Sequence, residues 1–151
     1  MAVERDDPYG SFNFLVDLGT GDTGGIRAGF QEVTGLNTEM TQAEYRNGNE
    51  KVNHVRKISG MYKVGDVTFK RGLIGATDLF DWINQTRRGD RAAMRAVTIT
   101  LQDEAHQGAV MTWRLTRARP LRYTAPSLNG KSGTDVAIEE LVVSAEDMVV
   151  E

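Results

Sequence analysis

The residue types that could do chemistry are few in this chain, and each has a plainer reading. His54 and His106 are its only histidines. Neither has a second ligating side chain at metal-site spacing. One lies in a polar stretch and the other in a hairpin tip, so both read as solvated surface groups, with His54 also placed for a contact between subunits. The doublets Asp103-Glu104 and Glu139-Glu140 supply the carboxylates that acid/base catalysis needs. Successive residues of a strand point to opposite faces, however, so neither doublet converges on one point and solvated charge is expected at all four.

Three short motifs imitate binding loops. Gly19-Thr20-Gly21-Asp22-Thr23-Gly24 matches the dinucleotide fingerprint, with Glu39 at about the spacing of its acidic partner. That fingerprint works only where its last glycine opens a helix, and Gly25-Ile26-Arg27-Ala28-Gly29-Phe30 has no helical stripe, so a hairpin loop is expected. Gly130-Lys131-Ser132 resembles the end of a P-loop, yet Ala125 stands where the first glycine belongs and a strand follows. Arg88-Gly89-Asp90 spells an adhesion tripeptide that a helix stop explains equally well. The one basic cluster, Arg114, Arg117, Arg119 and Arg122, sits beside Trp113 and Tyr123 in the manner of a nucleic-acid surface. Simple alternation puts Arg117 and Arg119 on the face of Trp113 and Tyr123, with Arg114 and Arg122 opposite, and ion pairs between subunits are the expected use. Catalytic residues, cofactors and metals are therefore all read as none.

Composition narrows the field further. The 151 residues suit a single domain with a real core, residues 1–151. A hydrophobic fraction of 40% and a charged fraction of 26% are those of an ordinary globular protein. With 18 basic against 21 acidic residues, no general attraction to nucleic acid or anionic lipid follows. The absence of cysteine removes disulfides and thiolate metal sites. The acidic opening Met1-Ala2-Val3-Glu4-Arg5-Asp6-Asp7-Pro8 has no apolar core, so no secretory signal is expected, and no run approaches the ~20 apolar residues of a membrane anchor.

The elements that must position these residues are mostly strands. Phe12, Phe14, Val16 and Leu18 alternate with polar residues, and residues 27–33 read as a strand returning after the glycine turn. Residues 52–58 and 66–70 follow as strands. Leu79, Trp82 and Ile83 at i, i+3 and i+4 mark an amphipathic helix over 78–87, with Thr77 as N-cap, Asp78 and Asp81 in the first turn and Gly89 as the stop. Trp82 and Phe80 are expected in the core. Val97, Ile99 and Leu101, a turn over 102–108, and Met111, Trp113 and Leu115 form a hairpin, which Pro120 bends. In the last strand Val136 and Ile138 share one parity and Leu141 and Val143 the other, suggesting a bulge near Glu139-Glu140. Many short strands with one helix make the class mainly β: a single-domain β-barrel of two packed antiparallel sheets with one flanking α-helix.

One segment has no place in that barrel. Residues 38–57 form a long polar stretch with no apolar stripe, uncommon in a compact domain and usually functional. Glu44, Tyr45, Arg46, Asn47, Glu50, Lys51, His54, Arg56 and Lys57 read as an arm held out to another subunit, with the charged residues as ion-pair partners and Tyr45 as the anchor.

The chain also resembles a known family along nearly its whole length. The resemblance is carried by Tyr9-Gly10-Ser11-Phe12-Asn13-Phe14, Ala28-Gly29-Phe30-Gln31-Glu32-Val33-Thr34-Gly35-Leu36, Glu44-Tyr45-Arg46-Asn47-Gly48, Val67-Thr68-Phe69-Lys70-Arg71-Gly72, Leu79-Phe80-Asp81-Trp82, Leu128-Asn129-Gly130 and Val136-Ala137-Ile138-Glu139-Glu140-Leu141. Their order and spacing resemble the tail-tube proteins of contractile-tailed bacteriophages and extracellular contractile injection systems. The resemblance implies a structural inner-tube subunit with a fold similar to the haemolysin-coregulated protein: a homo-hexamer that stacks into a tube inside a contractile sheath. Baseplate and terminator or cap proteins would be partners, cargo protein or DNA would occupy the lumen, and particles assembled in the cytoplasm would be released. Arg119 before Pro120, and Ser144-Ala145-Glu146-Asp147, depart from the family pattern. A monomeric small-ligand-binding barrel is the alternative; a third reading is a weak enzyme using His54 or His106.

Overall fold

The computed structural model describes residues 2–21, 23–131 and 133–151. Met1, Asp22 of the glycine loop, Ser132 of Gly130-Lys131-Ser132 and the side chain of Ile26 lie outside the described residues. In chain order the elements are β1 (Phe14–Asp17), β2 (Glu32–Thr34), β3 (Thr38–Tyr45), β4 (Arg56–Val64), β5 (Val67–Gly72), α1 (Asp78–Arg87), β6 (Arg95–Gln102), β7 (Ala109–Thr124), β8 (Ile138–Ser144) and β9 (Asp147–Val150). Hydrogen bonding runs β1-β6-β7-β8-β5-β2, every pair antiparallel, with β9 added to β7 and β3-β4 forming a separate two-stranded sheet. This is the mainly β class, two antiparallel sheets and one helix. The path ends at β1 and β2, which do not pair with each other among the described residues.

One strand, β7, joins the β1-β6 and β8-β5-β2 halves of the seven-stranded sheet, and it carries extra residues. Ala118 and Leu115 of β7 face Arg95 and Val97 of β6, so three steps on β7 match two on β6, and Arg117 between them takes φ 53°. A second extra residue lies between Pro120 and Arg122, opposite adjacent Val143 and Val142. The first bulge resets which side chains face inward, so Leu115, Ala118 and Pro120 are buried while Arg117 and Arg119 are exposed. The face shared by Trp113, Arg117, Arg119 and Tyr123 does not exist. Three of the four arginines pair within the chain: Arg117 and Arg119 both reach Glu146, at 2.7 and 3.5 Å, and Arg114 reaches Glu151 at 2.7 Å.

The core lies between the sheets. Val16, Val67, Phe69, Val97, Leu115, Leu141 and Val143 meet Leu79 and Trp82 of α1. Burial at about 25 cal/mol per Å² of apolar surface is the main force holding these layers together. The Trp82 indole Nε1–H donates to the Ala93 carbonyl at 2.6 Å, which satisfies its one polar atom in the interior. The helix occupies the span expected for it, but its start differs: Thr77 makes no side-chain cap bond, and its hydroxyl donates to Asp81 instead. Phe80 is not core. It is 46% exposed and touches Tyr123 edge-on at 5.9 Å.

A buried polar network ties helix to sheet. Arg71 and Glu139 face each other across β5 and β8, each about 1% exposed. The Arg71 guanidinium donates to Glu139 Oε1 at 2.6 and 2.9 Å, to both Asp78 carboxylate oxygens at 2.7 and 3.1 Å, and to the Arg27 carbonyl at 2.7 Å. Tyr123 donates to Glu139 Oε2 at 2.7 Å. Partial burial pushes the Asp78 carboxyl upward, yet the hydrogen bonds and charge of Arg71 outweigh it and hold Asp78 below its ordinary value. The Tyr123 hydroxyl is raised, by burial first and then by its bond to Glu139.

Several expectations are corrected here. Glu139 is buried and paired rather than solvated, and because it faces inward with Leu141 and Val143, β8 runs past β5 with no bulge. Val136 lies outside the strand and is exposed. The strand expected to return over 27–33 is a 3-10 turn at Ile26–Ala28 followed by the short β2, and β1 pairs with β6 rather than with it. Phe12 is exposed ahead of β1. The strand expected over 52–58 begins only at Arg56 and continues to Val64. β9 is an addition to the strands expected from the sequence, and it pairs with Trp113–Thr116 of β7.

Candidate functional site

The arm is longer and more ordered than a polar loop. β3 and β4 pair from Thr38 opposite Val64 to Tyr45 opposite Arg56, and every residue of both strands is exposed except Val64, which is half-buried. One extra residue in β4 sits near Gly60 and Met61, where the Thr41 hydroxyl accepts the Met61 N–H at 2.8 Å. A Cβ on Gly60 would crowd that hydroxyl, so the bulge requires glycine there.

The root of the arm is tightly built. Gly35 sits at φ 89°, and a side chain there would overlap the Asp66 carbonyl oxygen. Gly65 donates to the Asn37 carbonyl at 2.9 Å, with the Asn37 amide so close that a Cβ would collide with it. The arm therefore leaves the body between β2 and β5 at a fixed angle.

The tip is knit by its own side chains. Arg46 donates to the carbonyls of Glu50 at 2.9 Å and Val52 at 3.1 Å, and Asn47 donates to Glu50 Oε1 at 3.2 Å. Arg56 pairs with the same carboxylate at 3.0 Å, and the Tyr45 hydroxyl donates to Asn47 Oδ1. Five of the nine expected contact residues, Tyr45, Arg46, Asn47, Glu50 and Arg56, are thus brought together to shape the tip. Glu44, Lys51, His54 and Lys57 make no side-chain hydrogen bond or ion pair among the described residues, although Glu44 and Lys57 lie directly opposite in register.

Reading the segment as wholly polar missed its apolar surface. Met40, Val52, Val55, Ile58, Met61 and Tyr62 are all exposed on the arm, Met61 at 78%. Met40 faces Tyr62 and Ala43 faces Ile58, ordinary cross-strand pairs with nothing laid over them. Met40, Ala43 and Tyr45 on one strand and Ile58, Met61 and Tyr62 on the other carry that signal, obscured by the polar residues among them. A two-stranded hairpin is at best marginally stable by itself, and exposed apolar patches on a soluble chain mark interaction sites.

The other candidate chemistry is accounted for within the chain. Glu104 is bound by Arg5 at 2.7 Å, and hydrogen bonds from that guanidinium and from backbone N–H groups hold its carboxyl down to about 2, too acidic for a general acid near neutrality. The Asp103 carboxylate accepts the Gln107 N–H at 2.8 Å. His54 and His106 are both exposed and far apart along the chain. Among the described residues no group of three metal-ligating side chains occurs, and no helix is long and apolar enough to cross a membrane.

Comparison with known proteins adds a second line. Residues 10–149 match the model of the family described as T4-like virus tail tube protein gp19. Over 99% of its length the chain is similar to 99% of a chain in the sheath/tube terminator of an extracellular contractile injection system, PVC, in the extended state, at 30% identity and a TM-score of 0.81. It is likewise similar to a chain in the PVC sheath-tube complex, at 29% identity and a TM-score of 0.81, covering 95% of this chain and 91% of that one. Hcp1 from Flavobacterium johnsoniae shares the fold at 13% identity and a TM-score of 0.53, over 91% of this chain and 93% of its own. No curated protein sequence matches significantly.

Proposed function

We propose, since the chain belongs to the T4-like virus tail tube protein family and is a structural tail-tube subunit rather than an enzyme, that six copies close into a ring and that rings stack through the arm. The observation that carries this reading is the two-stranded arm itself, exposed throughout and dotted with unburied apolar side chains on a body whose own core is complete. Such a hairpin gains its buried surface only by lying on another copy. Glu44, Lys51, His54 and Lys57 supply charged contacts there, while Tyr45, Arg46, Asn47, Glu50 and Arg56 hold the tip in shape.

The assembly is physical in mechanism. β1 and β2 end the sheet path with edges that no strand covers among the described residues, and an unpaired edge is a template for a second chain. Contacts between different patches on identical copies propagate as closed rings or open stacks. The partners follow from the resemblance: a contractile sheath outside the tube, a baseplate and a terminator or cap at its ends, and DNA or protein cargo within. Assembly takes place in the cytoplasm, and the finished particle acts outside the cell. A small-ligand-binding barrel is disfavoured because residues 10–149 match a tail-tube family.

Removing residues 45–51 tests the reading. The expected result is a folded chain that no longer forms tubes, seen as loss of filaments in negative-stain microscopy and a low-mass peak in size-exclusion chromatography. Normal tubes from that variant would overturn the role of the arm.

A further inference from the structure

The body presents an exposed apolar knob and an apolar groove. The knob is Leu128, 86% exposed, the most exposed large apolar side chain among the described residues. It stands in the stretch 125–137 between β7 and β8, which has no strand or helix among its described residues. Long ordered loops without secondary structure are usually functional. The Lys131 N–H bonds to Asn129 Oδ1 at 3.0 Å, a local turn just beyond Leu128, and the Lys131 ammonium has no ion-pair partner among the described residues.

The groove has a volume of about 450 Å³, with Phe14, Val33, Leu36, Ile99, Leu101 and Trp113 as its apolar lining. It lies at the gap where the sheet path ends, between β1 with its neighbour β6 and the short β2. The Leu128 loop joins β7 to β8 in the middle of that path, whereas the gap lies at its two ends.

We infer that the Leu128 loop of one copy seats in this groove of the next copy around the ring. The inference rests on the tube reading and names a side-by-side contact distinct from the arm. Knob and groove are different patches, and repeated head to tail around the ring the contact runs on until the ring closes. An exposed leucine enters an apolar groove, and Lys131 approaches a rim that carries Glu32, whose side chain is still 48% exposed beside its bridge to Lys70. The free edge of β2 lies along the same groove and offers its backbone groups to the incoming loop.

Two variants of the full chain test this. Leu128→Asp is expected to weaken ring formation at least about tenfold, the factor that burying one leucine contributes. Its unfolding midpoint should stay unchanged, because the side chain is in solvent in the single chain. Ring yield is read by sedimentation velocity and microscopy. Rings at the wild-type yield would overturn the contact and leave the tube reading standing, whereas a wild-type chain that never forms rings would overturn both. Because the chain has no cysteine, Leu128→Cys combined with Ser11→Cys or Thr34→Cys on the groove rim gives a second readout. Mild oxidation of assembled rings should yield covalent oligomers larger than dimers with at least one pair. Rings in which both pairs remain monomeric on a non-reducing gel would refute the docking.

Discussion

The arm and β5 are neighbours in the chain, separated by two residues, and they treat side chains in opposite ways. Along β5 buried and half-buried residues alternate, Val67, Phe69 and Arg71 inward. Along β3 no residue is hidden at all. The body satisfies even an arginine by surrounding it with Glu139, Asp78 and the Arg27 carbonyl, while the arm leaves Met61 and Ile58 in water. The body thus builds its core within one chain, and the arm of the single chain keeps its apolar side chains in water.

That contrast can be broken at its strongest point first. Arg71→Met leaves Glu139 buried without its counter-charge and should cost roughly 3–5 kcal/mol of unfolding free energy in denaturant titrations. Arg71→Met with Glu139→Leu should recover much of it; an uncorrected loss would show that the network does more than balance charge. Next comes pH. Asp78 is held below the ~3.9 of an unfolded aspartate. Its contribution is therefore fully present above about pH 4 and is lost as pH falls through the lowered native value. Thermal midpoints should drop in that acid window for the parent chain and less steeply for Asp78→Asn. The exposed pair between Arg114 and Glu151 should matter far less, with Arg114→Ala changing stability by about 0.5 kcal/mol and losing even that in high salt. Smallest of all is Ile58→Ser on the arm, expected to shift folding stability by no more than about 0.5 kcal/mol while reducing tube yield in microscopy. A large loss of stability there would mean that the arm belongs to the body after all.

Much of the body was legible in local pattern. The helix from Asp78 to Arg87 has its apolar stripe, acidic first turn and glycine stop, and the hairpin of β6 and β7 shows plain alternation up to Leu115. What local pattern could not carry was parity beyond a bulge. The first inserted residue in β7 swings Arg117 and Arg119 outward, and an inward glutamate in β8 looks like a break in alternation until Arg71 is found across from it. The arm was visible as an anomaly of polarity and position. Its strands were not, because an isolated hairpin whose two faces are both wet has no single buried side to impose a period, and Met40, Ile58, Met61 and Tyr62 were hidden among charges.

The two glycines at the root of the arm have a mechanical consequence. Gly35 and Gly65 press the strands leading into β3 and out of β4 against Asp66 and Asn37, leaving no slack at the joint. The legs of the arm continue into β2 and β5, which are themselves hydrogen-bonded from Glu32 opposite Lys70 to Thr34 opposite Thr68. A thrust along the stack would enter each subunit through two ladder-coupled legs and spread as shear into the sheet, so that a column of such parts is driven forward as a ram with no hinge to buckle.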